Sequence, residues 1–180
     1  MNKFKILVAK EISERDLSIS FSKEHERKTD PEIDDYIEKS WEKALQENPR
    51  LFPGLKFRLS NIQEVDGKVI LSLGITNYKE HIGTNISQIL KQIIEKGKKD
   101  FNKEDIFLSN TLGNMCVVET SDNKIVFFKR SNKVSEYKGY IEIPGGHPEP
   151  SSIGITSDNI EYSKSQEEIK KALFDSAEEE

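Results

Sequence analysis

Tyr140-Ile141-Glu142-Ile143-Pro144-Gly145-Gly146-His147-Pro148-Glu149-Pro150 is the stretch on which the reading of the fold turns. Tyr140–Pro144 predicts a strand, with β-branched Ile141 and Ile143 on either side of a polar residue. Gly145-Gly146 then lets the backbone turn sharply beside a ligand. From Pro150 to Ser163 the chain is rich in Ser, Gly and Pro and shows no period, which predicts a loop. Ser165-Gln166-Glu167-Glu168 is a capping box, a Ser N-cap with Glu three residues on. Ile169, Ala172, Leu173 and Ala177 continue it as an apolar helical stripe. Strand, glycine turn, loop and Glu-rich helix in that order make an α/β protein the expectation.

Upstream, the pattern extends the same architecture. Lys3–Ala9 reads as a first strand with Leu17–Phe21 as its partner. Asp30-Pro31 opens a helix, with Asp at the N-cap and Pro at the first helical position. Ile33, Ile37, Trp41, Ala44 and Leu45 share one face of it, and Asn48-Pro49 stops it. Lys56–Val65 and Lys68–Leu73 are two strands across Asp66-Gly67, a strong hairpin signal. Thr76-Asn77-Tyr78 through Gly83-Thr84-Asn85 reads as a loop feeding a second helix. Ile86, Ile89, Leu90, Ile93 and Ile94 mark its buried stripe, and Gly97 is placed to end it. Asn114–Glu119 and Lys124–Lys129 are strands across a Ser121-Asp122-Asn123 turn. Residues 1–110 therefore read as an N-terminal part, and 111–180 as the first part of a second one.

Composition excludes several function classes. The chain has 180 residues, with Lys+Arg 27 against Asp+Glu 32, a net charge of −5. The lysines are interleaved with acids, without the basic stripe that a nucleic-acid backbone requires. The single cysteine, Cys116, lies in an apolar run and cannot form an internal disulfide, so a reduced cytoplasmic setting is expected. No apolar run approaches the roughly 18 residues that span a bilayer, and no signal-peptide pattern opens the chain. One Cys and three scattered His exclude a zinc site. Gly-x-Ser-x-Gly, Walker and dinucleotide-binding loops are absent.

The strand ending in Pro144-Gly145-Gly146, followed by a loop and a Glu-rich helix, resembles the Nudix hydrolase superfamily. Gly145-Gly146-His147-Pro148-Glu149-Pro150 with its inserted loop resembles the UDP-glucose and UDP-galactose pyrophosphatase branch. Trp41, Leu51-Phe52, Lys56-Phe57-Arg58-Leu59, Leu73-Gly74-Ile75-Thr76-Asn77-Tyr78 and Gly83-Thr84-Asn85 carry the resemblance upstream. It covers residues 33–180. The resemblance implies a mixed β-sheet sandwiched between helices, here with an N-terminal β-β-α extension; it makes 1–110 the substrate-recognising part and 111–180 the first part of the hydrolase domain.

It also implies residue roles. Phe52 and Tyr78 match aromatics that line the nucleotide site, and Arg130 matches a phosphate-binding group. Ser135 and Glu142 match substrate-contacting positions where the family has a smaller residue and an Asp. His147 and Glu149 match substrate-binding positions of the modified box. Glu180 matches the first catalytic, metal-binding glutamate of the box helix, whose partner one turn later falls beyond the sequence. Mg²⁺ is the implied cofactor, a hard cation suited to carboxylates on one helix face. The helical pattern is still running at Glu180, so the expectation is a chain cut inside that helix and inactive as it stands. The implied activity is hydrolysis of a UDP-sugar to UMP and sugar 1-phosphate. A binding module with a degenerate helix, or a hydrolase of another nucleoside diphosphate derivative, are the alternatives.

Overall fold

The computed structural model describes residues 5–132 and 137–178. The architecture is mixed α/β: four α-helices, three short 3₁₀ turns and three small sheets among the described residues. Strand β1 is Leu17–Phe21, β2 is Leu55–Val65 and β3 is Lys68–Asn77. They form one sheet in the order β1-β3-β2. Asp66 and Gly67 adopt φ 50° and 81°, the left-handed turn their identities predict, and β2 and β3 pair from Val65↔Lys68 to Leu55↔Asn77.

The expected strand at Lys3–Ala9 is not found over its described part, since Lys5–Ala9 forms no strand. The partner of β1 is β3 instead, parallel, with Leu17 opposite Val69 and Phe21 opposite Leu73. This pairing drops Ile19 into a core with Phe57, Leu73 and Ile75.

Helix α1, Pro31–Glu47, starts where Asp30 accepts from the amides of Glu32 and Ile33, and Asn48 caps its end. Ile33, Ile37 and Trp41 are its buried stripe. Strand β3 runs past Leu73 to Asn77, and Tyr78–Gly83 is a helix, α2, capped by Asn77, where a loop was expected. Helix α3 is Leu90–Phe101. Ile93 of its stripe is buried, while Ile86 lies outside the helix and is exposed. Gly97 does not end α3. It sits inside the helix against the Lys103 carbonyl, and Asn102 in the left-handed conformation supplies the C-cap.

The expected strands of the second half are shorter than their patterns. Asn114–Met115 (β4) pairs with Gly145–Gly146 (β7), and Phe128–Lys129 (β5) with Ile141–Glu142 (β6). A single bridge joins Glu119 to Ile125 across the Asn123 turn. Gly145 is required here by close approach: a Cβ would lie 2.6 Å from the Asn114 carbonyl oxygen.

The 150–163 loop contains a 3₁₀ turn at Pro150–Ile153 and places Ile155 in the core. Helix α4, Gln166–Glu178, follows, and its capping box is formed. The Ser165 amide donates to Glu168 at 2.9 Å and the Glu168 amide returns to Ser165 Oγ at 3.2 Å. Ile169, Ala172 and Leu173 of α4 close the same core as Ile19 and Phe57. Asn114 ties α4 down, donating to the Leu173 carbonyl and to Ser176. No helix among the described residues is long and apolar enough to cross a membrane.

Candidate functional site

The aromatic wall of the site is propped by the core beneath it. Trp41, buried on α1, meets Tyr78 edge-on at 6.5 Å and 89°. The other side of Tyr78 stacks with His81 at 6.2 Å, and His81 Nδ1 lies 3.2 Å from Thr111 Oγ1. The Tyr78 amide donates to the Gly54 carbonyl, which draws the start of α2 against the segment carrying Phe52. Phe52 itself is 68% exposed, a large apolar ring open to solvent. Between Phe52 and Tyr78 lies a cavity of about 270 Å³ whose wall includes Arg50, Lys56, His81, Thr111 and His147.

His147 and Glu149 reach the site because the prolines between and after them are anchored. Pro148 and Pro150 are fully buried, and in an extended segment the alternate residues then face outward. His147 lines both the aromatic cavity and a second, polar one of about 650 Å³. Glu149 lines the polar cavity together with Ser151, Ser152 and, from α4, Asp175 and Ser176. Lys56 Nζ donates to Glu149 at 2.9 Å, and this bond holds the Glu149 carboxyl below its usual range, against the opposing pull of desolvation.

Four of the residues expected from sequence are therefore drawn to two adjoining cavities: Phe52, Tyr78, His147 and Glu149. Arg130 and Glu142 are drawn to each other instead. Their side chains meet at 2.6 Å across the β5/β6 ribbon, and neither lines these two cavities. Ser135 and Glu180 lie outside the described residues. Among the described residues no group of three or more His, Cys, Asp and Glu side chains could hold a metal ion.

The sequence reading missed Lys56, His81, Thr111, Asp175 and Ser176 as lining residues. Lys56 stood inside a noticed motif, but a strand lysine beside Phe57 carries no signal that its tip meets Glu149, 93 residues on. Asp175 was visible only as one of several acids on an amphipathic helix.

No protein-family model matches the chain. Nudix hydrolase 9 of Arabidopsis thaliana is 37% identical over 180 residues, an alignment that covers 92% of this chain and 58% of that protein. Uridine diphosphate glucose pyrophosphatase NUDT22 of Mus musculus is 32% identical over 146 residues, covering 79% of this chain and 47% of that protein. The Homo sapiens protein of the same name is 32% identical over 147 residues and is covered to 48%. The chain spans about half the length of the curated relatives it matches.

Proposed function

Since the chain belongs to the Nudix hydrolase superfamily, we propose that the complete protein hydrolyses the diphosphate of UDP-glucose or UDP-galactose. The products are UMP and the sugar 1-phosphate. The observation that carries this reading is the pairing of two unlike cavities that share Lys56 and His147. One is walled by Phe52 and Tyr78 and suits the face of a planar base. The other is lined by hydroxyls and carboxylates and suits the hydroxyls of a sugar. A nucleotide-sugar has these two ends, joined by an anion.

In this reading Phe52 and Tyr78 stack the uracil, while His147 and Glu149 position the substrate. Arg130, Ser135 and Glu142 are proposed substrate contacts. Glu180 is the proposed catalytic metal ligand, with Mg²⁺ as the cofactor. The described carboxylates do not by themselves fit a metal, since they form no group of three donors and Glu149 is engaged by Lys56. Mg²⁺ held through Glu180 would supply charge neutralisation of the diphosphate and an activated water. What this chain's own residues supply is the orientation of the base and the sugar on either side of the scissile bond.

The test is a substrate panel for the complete protein with Mg²⁺: UDP-glucose, UDP-galactose and the ADP and GDP analogues of the same sugars. UMP release with preference for the uridine compounds is expected. Phe52→Ala and Tyr78→Ala should each raise KM by about tenfold, the stacking worth of an aromatic on a base. Equal turnover of all bases points to a hydrolase of other nucleoside diphosphate derivatives. Binding without turnover points to the non-catalytic module.

A further inference from the structure

Lys56 occupies the seam between the two cavities. Among the described residues only Lys56 and His147 line both, and Lys56 is the one lysine or arginine on the polar cavity's wall. Its backbone is fixed, paired with Thr76 in the β2/β3 ladder and followed by the fully buried Phe57. Its side chain is 15% exposed, whereas that of Glu149 is 55% exposed. The lysine side chain is thus largely covered and the carboxylate is the more open partner, and a ligand's charge can meet Lys56 from either cavity that it lines. An ammonium carries three donors, and the bond to Glu149 uses one of them.

A ligand with its ring in the aromatic cavity and its hydroxyls in the polar one must pass its linker over this seam. We propose that Lys56 is the residue that receives the diphosphate, with Glu149 holding the ammonium in place until phosphate oxygens join or replace the carboxylate. This rests on the nucleotide-sugar reading of the site and adds its anion-recognising group. It makes the Lys56–Glu149 pair a gate on affinity. A compact ammonium outside a carboxylate's grip is a stronger anion receptor, so the pair lowers affinity for free phosphate while a full substrate, gripped at both ends, overcomes it.

The experiment is calorimetric titration of the chain, in low salt without divalent metal, with inorganic pyrophosphate, UDP and uridine. Wild type is compared with Lys56→Met, Lys56→Arg and Glu149→Gln. Lys56→Met keeps the apolar stem of the side chain, and circular dichroism checks that each variant is folded. Lys56→Met should weaken pyrophosphate and UDP by about tenfold or more, the worth of one charge-assisted contact. Uridine should stay within about twofold, because methionine keeps the apolar stem that lines the aromatic cavity. Lys56→Arg should recover most of the loss, and Glu149→Gln should bind pyrophosphate more tightly than wild type. Unchanged UDP and pyrophosphate affinity in Lys56→Met overturns the proposal, as does failure of wild type to bind either anion. Should pyrophosphate bind through Lys56 while uridine does not bind at all, the uracil reading fails and the assignment of Lys56 stands.

Discussion

The β2/β3 hairpin and the ribbon between Asn114 and Gly146 are both antiparallel and both rich in apolar residues. The hairpin keeps its ladder from Leu55 to Val65 with only one register shift, after Leu59. The ribbon breaks into pairs two residues long. What differs is cover. Phe57, Val69 and Leu73 of the hairpin are fully buried, and Phe57 and Leu73 share a core with Ile19 of β1 and Ile169 of α4. In the ribbon Met115, Val117, Phe127, Tyr140 and Ile141 all remain exposed, Ile141 at 72%. Strand propensity is therefore a statement about fitting a half-buried surface, and without that surface the same residues make only short ladders. The candidate site straddles the contrast. Its aromatic wall stands on the well-packed half, and His147 and Glu149 enter it from the end of the ribbon, held by two buried prolines.

Three substitutions test how deep that contrast goes. Phe57→Ala removes a ring that touches the cores of both β1 and α4, and it should cost about 3–5 kcal/mol, read as a fall in the urea midpoint. A loss under about 1 kcal/mol would mean the hairpin's packing is not what distinguishes it. Gly97→Ala comes next. Alanine ordinarily gains roughly 1 kcal/mol over glycine within a helix. Here its Cβ would stand 2.6 Å from the Lys103 carbonyl oxygen, which belongs to fixed backbone. Overpacking of this kind costs about 1–3 kcal/mol, so the midpoint should fall, and a rise would refute the tight α3 packing. Ile141→Ser in the ribbon should change stability by no more than about 0.5 kcal/mol, because the side chain gives up little burial. A larger loss in the same urea series would show that the ribbon is covered in solution.

Much of the fold was legible because its signals are local. Asp66-Gly67 needs only its own backbone freedom to make a turn, Asp30-Pro31 only its own side chain to cap a helix, and Ser165 and Glu168 only each other. The two helical stripes at Ile33-Ile37-Trp41 and Ile169-Ala172-Leu173 follow from a period of 3.6 and end where those residues are buried. Two of the misreadings share a cause, which is a partner distant in sequence. Lys5–Ala9 has an apolar pattern, but β1 takes β3 as its neighbour. Gly97 looks like a stop, yet its absent Cβ serves the Lys103–Ile106 segment folding back on α3.

Arg58 shows the limit most clearly. In an alternating strand an arginine reads as outward-facing, but its side chain is 1% exposed. Its guanidinium donates to the carbonyls of His25, Asp105 and Leu108, each at 2.8 Å, and burial lowers its proton affinity from the ordinary value. Desolvating that charge is tolerable only where several acceptors converge, and no window of sequence contains them all.

Local sequence was enough for the α/β class, the hairpin, the caps and the stripes, and it singled out Phe52, Tyr78, His147 and Glu149, which line the two cavities. Each of these depends on residues within a turn or two of one another, or on a motif's order along the chain. Tertiary structure alone decided that β1 lies parallel to β3, that Arg130 pairs with Glu142, and that Lys56 meets Glu149 between two cavities. Those outcomes depend on which surfaces exclude water together, and that competition is settled only when the whole core closes.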